Sequence, residues 1–237
     1  GSGKTCSIAS IVKAGYEVFV ADTDNGVRVL RSTGLLTDEE QAKVKYLTFR
    51  DKSDGKPTAW NRLRETLITK GWVDGDTNYG KIDTWDSNRV LILDTLTFAG
   101  KAAINFVLNN NNRQLDAQLS PGEWGDAARA LENLVAHITS DHLKCQVIVF
   151  THLRHIEDET TGLSRSYPAS VGAQLSTIIP RYFNDMYMIT NRRNKEGVPM
   201  MKTVADGRMA LKCSLPNKIT GEVEADLGKI LKTLAAT

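Results

Sequence analysis

The chain has 237 residues, of which 41% are hydrophobic and 24% charged, and its formal net charge is +2. These values are ordinary for a globular protein, and the length allows one α/β domain with a full core. The charge is not a nucleic-acid-binding signature by itself, and no apolar run approaches the ~18 residues that a membrane-spanning helix needs.

The three cysteines, Cys6, Cys145 and Cys213, are dispersed and lack metal-ligand spacing. An odd set of this kind favours reduced thiols over disulfides or zinc. The sequence contains no recognisable signal peptide. We therefore expect a cytoplasmic protein.

The first five residues, Gly1-Ser2-Gly3-Lys4-Thr5, match the second half of the phosphate-binding motif G-x-x-x-x-G-K-[ST]. In this motif the glycine admits phosphate oxygens close to the backbone, the lysine reaches the β- and γ-phosphates, and the threonine hydroxyl is a magnesium ligand. The alternative is a chance Gly/Ser turn followed by a surface lysine. The motif's first glycine and the strand that feeds the loop would precede Gly1, so we expect the true N-terminus to lie upstream. The predicted nucleotide-binding residues are Gly1, Ser2, Gly3, Lys4, Thr5 and Cys6.

Strands and helices alternate over the first 150 residues, which indicates a mostly parallel sheet flanked by helices. The predicted strands are residues 16–21, 44–49, 89–94 and 146–150, and the predicted helices are residues 5–14, 27–31, 57–70, 99–108 and 125–140. The strands at 89–94 and 146–150 each contain four consecutive apolar residues, which is typical of strands buried on both faces.

Residues 50–88 are rich in Asp, Lys, Gly, Thr and Trp. They contain too few apolar residues for a core of their own, so we predict a surface elaboration, with a loop over 74–87, within a single domain spanning 1–237. After a polar loop at 153–170, we predict strands at 182–189, 199–204 and 208–213 that form an antiparallel C-terminal edge, and a closing helix at 222–234.

Polar side chains stand where several of the predicted strands end. In open α/β sheets, ligands bind beyond the carboxyl ends of the strands. Asp94 follows the strongest strand and suits a carboxylate that holds Mg²⁺; its alternative role is a helix N-cap. Asp24 suits a group that orients or deprotonates water, although D-T-D-N-G is also a good turn. His152 could bond to a γ-phosphate oxygen and report nucleotide state, or serve as a capping or core histidine.

Five segments together resemble the RecA-type P-loop ATPases of phages. They are G-S-G-K-T, V-A-D-T-D-N-G, V-L-I-L-D-T-L-T, V-I-V-F-T-H-L-R and Y-P-A-S-V-G-A-Q-L-S-T-I-I-P-R-Y-F-N-D. These ATPases are AAA-domain ATP-binding proteins related to phage single-strand annealing recombinases. The resemblance spans nearly the whole chain and is weakest over 50–88.

The resemblance implies a RecA-like core that hydrolyses ATP with Mg²⁺ at an active site shared between protomers of a homo-oligomer, in the host-cell cytoplasm. It implies catalytic roles for Lys4, Asp24, Asp94 and His152, and magnesium ligation by Thr5 and Asp94. It also implies a cation supplied in trans, which Lys212 matches. The sequence departs from the family's pattern at Asp24, where the family has glutamate, and at Ser214, where the family has a second basic residue. Arg192, Arg193 and Lys195 are second choices for the trans cation, and a solvated lysine is the alternative for Lys212.

Single-stranded DNA is the partner that the resemblance implies. The polar segment 153–170 offers Arg154, Arg165 and Tyr167, since basic groups beside a stackable aromatic suit a single-stranded backbone. The acidic residues at 157–159 oppose this role. The leading hypothesis is a recombination or annealing ATPase; a nucleotide-gated assembly module with little turnover and a helicase-type motor core remain as alternatives.

Overall fold

The computed structural model describes residues 3–52, 55–157 and 162–236. Over these ranges the chain has an α/β fold in which a four-stranded parallel sheet is flanked by helices and accompanied by three antiparallel sheets. Within the same ranges, no helix combines the length and apolar character required to cross a membrane.

The secondary-structure elements of the described residues follow in chain order. The α-helices are Lys4–Lys13 (α1), Arg28–Ser32 (α2), Asp38–Gln41 (α3), Ala59–Arg64 (α4), Leu96–Asn110 (α5), Pro121–Ile138 (α6), Gly172–Ile178 (α7) and Leu227–Ala235 (α8). The strands are Glu17–Asp22 (β1), Val44–Thr48 (β2), Trp72–Asp74 (β3), Thr77–Gly80 (β4), Arg89–Asp94 (β5), Gln146–Phe150 (β6), Leu153–Glu157 (β7), Ser164–Pro168 (β8), Met188–Arg193 (β9), Pro199–Lys202 (β10) and Glu222–Glu224 (β11). A π-helical turn, Glu65–Thr69, continues α4, and Ile82–Thr84 and Ile179–Tyr182 are 3₁₀ helices.

The parallel sheet has the strand order β2-β1-β5-β6. Asp22 at the end of β1 lies opposite Asp94 at the end of β5, and Asp94 lies opposite Phe150 of β6. The carboxyl ends of these three strands therefore meet at one edge of the sheet. The prediction that 146–150 is buried on both faces is wrong for most of the strand, because β6 is the edge strand and residues 146–149 are only half-buried.

Alternate residues of β1 and β5 supply the two hydrophobic cores, one on each face of the sheet. Phe19 and Leu91 pack in the core that also contains buried residues of α5 and α6. Val18 and Val90 belong to the core that contains buried residues of α1 and α8. This two-residue periodicity explains why both strands are apolar throughout their buried length.

The segment 50–88 contributes to the core as well as covering it. Trp60, Trp72 and Trp85 are each at most 1% exposed and belong to the core on the α5–α6 face. The ring centroid of Trp85 lies 4.2 Å from that of Phe19 in β1. The predicted loop over 74–87 is also corrected, since β3 pairs with β4 in a hairpin that starts at Trp72. The segment contains few apolar residues, but its tryptophans are very large. A count of apolar residues therefore underestimates the apolar area that the segment buries.

The C-terminal strands form a sheet of their own, with the order β11-β10-β9, and not an edge of the parallel sheet. Residues 208–213 make only isolated bridges, through Met209 and Lys212, so the strand predicted there is wrong. The third strand is instead Glu222–Glu224, and the closing helix begins later, at Leu227. The polar segment 153–170 is likewise not a loop, because β7 and β8 pair as an antiparallel hairpin. In both places the structure depends on which segments pair as strands, and composition alone does not predict that pairing.

Candidate functional site

The ends of β1 and β5 are joined by hydrogen bonds beyond their last paired residues. The Thr23 amide donates to the Asp94 carbonyl at 2.7 Å. The Thr23 hydroxyl accepts from the Thr95 amide and donates to the Thr95 carbonyl, both at 2.8 Å. Because Thr23 and Thr95 are buried, these bonds hold the two carboxylates that precede them at a fixed edge.

Asp94 is the most perturbed carboxylate at this edge. It is 1% exposed, and its Oδ2 atom has no hydrogen-bond partner among the described residues. Its pKa is raised from 3.8 to about 7, first by burial and then by the negative charges of Asp24 and Asp22, while the positive charge of Lys4 opposes them. A buried carboxylate oxygen without a partner is costly unless a cation faces it. The residue therefore suits the cation site predicted for it.

Asp22, which is not among the predicted site residues, organises the turn that follows β1. Its Oδ1 atom accepts hydrogen bonds from the amides of Asp24 at 3.2 Å, Asn25 at 2.7 Å and Gly26 at 3.2 Å. Its Oδ2 atom is buried and has no partner among the described residues. Burial raises the pKa of Asp22 despite these backbone hydrogen bonds. The available signal was an aspartate as the last residue of an apolar strand, directly before a turn sequence.

Asp24 is half-buried at the tip of this turn. Its Oδ1 atom accepts a hydrogen bond from the Gly26 amide at 2.9 Å, and Asn25 between them has a left-handed φ of 69°. The turn interpretation of D-T-D-N-G is therefore confirmed. Asp24 also lies close enough to raise the pKa of Asp94, so its carboxylate belongs to the same charged cluster.

Lys4 brings the start of α1 to the same cluster, since its charge lowers the pKa of Asp94. Gly3 caps the helix with a left-handed φ of 87°. A Cβ atom on Gly3 would lie 2.8 Å from Cγ of Pro199, so the conformation and the contact with β10 both require glycine. The predicted phosphate ligands Gly1 and Ser2, and the side chains of Thr5 and Cys6, lie outside the described part of the structure.

His152 stands two residues beyond β6, at the same edge of the sheet, and its side chain is exposed. Its amide donates to the Thr97 hydroxyl at 3.2 Å, and its carbonyl accepts from the Ala169 amide at 2.8 Å. The imidazole lies edge-on to the ring of Phe98, with centroids 5.9 Å apart. The histidine therefore links the end of β6 to α5 and to the end of the β7–β8 hairpin.

Lys212 is hydrogen-bonded to residues of its own chain. Its ammonium donates to the carbonyls of Pro180 at 2.7 Å and Phe183 at 3.2 Å, and its backbone pairs with Met186. These bonds compete with any role in a neighbouring protomer. Of the second-choice cations, Arg192 pairs with Glu222 at 3.1 Å.

The three residues predicted to contact nucleic acid share one face of the β7–β8 hairpin. Arg154 lies opposite Tyr167, and Ile156 lies opposite Arg165. Since alternate residues of a strand point to opposite faces, these four side chains lie together. Glu157 lies on the other face, and the acidic residues 158 and 159 fall outside the described residues.

Comparison with protein-family models and with curated proteins finds no match to this chain.

Proposed function

We propose that this chain is a RecA-like P-loop ATPase that acts on single-stranded DNA in recombination or annealing. One observation carries the proposal. Asp94, a buried carboxylate with one oxygen that has no hydrogen-bond partner among the described residues, lies within electrostatic reach of Lys4 and Asp24 at the carboxyl edge of a parallel sheet. An ammonium and two carboxylates at a helix N-terminus suit a triphosphate that binds together with a divalent cation.

A magnesium ion fits the groups that are present. Asp94 offers a buried oxygen that no described residue hydrogen-bonds, and the Thr5 hydroxyl is the second ligand that the motif supplies. Magnesium prefers oxygen ligands and keeps part of its water shell, so few protein ligands are required. Held by these residues together with the nucleotide, it would supply positive charge that offsets the negative charge of the phosphates during phosphoryl transfer.

The other residues of the site have roles that follow from their positions. Lys4 and the amides at the start of α1 bind phosphate oxygens. Asp24 orients a water molecule for attack and accepts its proton, while Asp22 holds the turn that carries Asp24. His152, which follows the edge strand β6, contacts the γ-phosphate and couples the nucleotide state to the β7–β8 hairpin. The hairpin face that carries Arg154, Arg165 and Tyr167 binds the DNA backbone and stacks a base.

A second candidate is a nucleotide-gated assembly module with little turnover. The observation that favours it is the engagement of Lys212 by the carbonyls of Pro180 and Phe183. A cation supplied in trans raises phosphoryl-transfer rates by ~10³–10⁵, so a lysine held within its own chain predicts slow hydrolysis.

The first experiment measures binding of a fluorescent ATP analogue and phosphate release, each with and without single-stranded DNA. We expect Lys4→Ala and Asp94→Asn to abolish magnesium-dependent nucleotide binding, and Asp24→Asn to retain binding while lowering turnover by about 10²-fold or more. Lys101→Ala and Asp83→Asn, which change exposed residues of the same types, are the matched controls. Nucleotide binding that survives both Lys4→Ala and Asp94→Asn would refute the assignment of the site.

The second experiment separates the two candidates. Steady phosphate release that single-stranded DNA stimulates supports the ATPase. ATP-dependent oligomerisation in light scattering, with negligible phosphate release and no effect of Lys212→Ala, supports the assembly module.

A further inference from the structure

A basic cleft lies between α1 and α8, separate from the cluster around Asp94. It has a volume of about 650 Å³, and the described residues that line it include four lysines and one carboxylate: Lys13, Lys218, Lys229, Lys232 and Asp226. Lys13 is nine residues after Lys4, which is about 14 Å along a helix axis. The cleft therefore lies at the opposite end of α1 from the candidate phosphate site.

Close packing of two helices builds this cleft. Gly228 approaches α1 so closely that a Cβ atom there would lie 2.1 Å from the Ser10 carbonyl oxygen. The Gly228 amide also donates to the Ser10 hydroxyl at 3.2 Å. Leu227, Ile230 and Leu231 bury the apolar face of α8 in the core. The exposed residues of this helix that line the cleft are thus held on a fixed support.

Among the described lining residues of the cleft, lysines outnumber carboxylates by four to one. Lys13, Lys229 and Lys232 are exposed, and the two on α8 are three residues apart, so they are neighbours on the helix surface. Asp226 caps α8 by accepting a hydrogen bond from the Lys229 amide at 2.8 Å. Its carboxylate is therefore committed in part to the helix end, and the ammonium groups determine the character of the cleft.

We propose that this cleft binds the sugar-phosphate backbone of single-stranded nucleic acid. Its lysines come from three separate segments, α1, residues 215–219 and α8, and they line an open surface. Point charges spread along an open cleft suit an extended polyanion, whereas a compact ligand requires convergent and enclosed polar groups. Among the described lining residues there is neither an arginine nor an aromatic side chain, so the cleft contacts phosphates without stacking bases and without reading sequence.

The cleft extends the proposed function by a second DNA contact, but it rests on charge and shape and not on ATP hydrolysis. A strand held there and on the β7–β8 hairpin would contact the protein on two surfaces. The cleft is tested in the absence of nucleotide, so its failure is distinguishable from failure of the ATPase proposal.

The experiment compares two triple variants of equal charge change. The cleft variant is Lys13→Gln, Lys229→Gln and Lys232→Gln; the control is Lys43→Gln, Lys81→Gln and Lys101→Gln, at exposed lysines outside the cleft. Binding of a fluorescent oligothymidylate is measured by anisotropy over a range of salt concentrations. Each phosphate contact to a single strand contributes about 0.7 to the magnitude of the slope of log affinity against log salt concentration. Because the cleft variant removes three lysines, the magnitude of its slope should be smaller by about 2. The control variant, and a cleft variant with three Lys→Arg changes, should keep the wild-type slope.

Three results would overturn the proposal. Equal slope losses in the two triple variants would show a general charge effect. An unchanged slope in the cleft variant, with circular dichroism like that of the wild type, would show that the cleft does not contact DNA. In the third result, inorganic tripolyphosphate displaces the oligonucleotide at equal phosphate concentration, and this displacement disappears only in the cleft variant. That result would show that the cleft binds a compact anion.

Discussion

Asp94→Asn tests whether the candidate site stores an unfavourable charge in the ligand-free protein. The pKa of Asp94 is raised from 3.8 to about 7, chiefly by burial. A difference of that size corresponds to at most about 4 kcal/mol of folding free energy. The residue is 1% exposed, so solvent screening of this effect is weak. Asparagine has nearly the same shape and carries no charge at any pH.

The sign of the effect follows from proton linkage. Between pH 4 and pH 7 the folded protein keeps the Asp94 proton while the unfolded chain releases it. Stability from this residue therefore falls as pH rises through this range and is constant above it. Asp94→Asn does not lose this stability, because asparagine does not titrate. We expect its free energy of unfolding, relative to wild type, to rise with pH and to level off above pH 7.

Urea denaturation at pH 4.5, 6 and 8, in EDTA and without nucleotide, measures this difference. The new amide of asparagine adds a pH-independent cost of about 1–3 kcal/mol if it lacks a partner, so the test is the change of the difference with pH. Asp83→Asn, at an exposed position, should give a flat difference. A flat or falling difference for Asp94→Asn would show that burial does not raise the pKa of this carboxylate.

Three further predictions, which use four substitutions, test the packing of the helices and of the core. Gly228→Ala should lower the free energy of unfolding by about 1–3 kcal/mol, because the new Cβ atom would lie 2.1 Å from the Ser10 carbonyl oxygen. Thermal unfolding measures this loss of stability. A loss below about 0.5 kcal/mol, which is on the order of an ordinary surface substitution, would contradict the packing of α8 on α1. Gly125→Ala, in the exposed part of α6 with nothing near its Cβ position, should stabilise the protein by about 0.5–1 kcal/mol in the same assay, and destabilisation would argue against a helix there. Trp85→Phe should lower the free energy of unfolding, measured in urea, by roughly 1 kcal/mol more than Trp72→Phe does. The reason is that the Trp85 indole donates a hydrogen bond to a carbonyl at 2.8 Å, whereas the Trp72 indole nitrogen has no partner among the described residues. Equal losses of stability would count against that hydrogen bond.

Several elements could be predicted from short stretches of sequence because local patterns determine them. The apolar strands β1 and β5 occur where they were expected, and so does α1, the helix that follows the phosphate-binding motif. Helix α6 starts four residues before its predicted start at 125, because Ser120 and Glu123 form a capping box. That signal, S-x-x-E, was present in the sequence.

Other elements could not be predicted because they depend on which segments pair as strands. The β7–β8 hairpin has a polar composition typical of a loop, and only its cross-strand partners make it a sheet. Residues 208–213 have the composition of a strand but pair at single points, since Glu222–Glu224 occupies the place beside β10. Local propensity is a weak prior where tertiary pairing decides.

The sequence by itself determined the α/β alternation and the candidate residues Lys4, Asp24, Asp94 and His152, since each follows or precedes a recognisable strand or helix. The tertiary structure alone decided which charges act on one another, because electrostatic interaction depends on distance and burial rather than on order in the chain. It placed Lys4 and Asp24 within electrostatic reach of Asp94, and it tied Lys212 to carbonyls of its own chain.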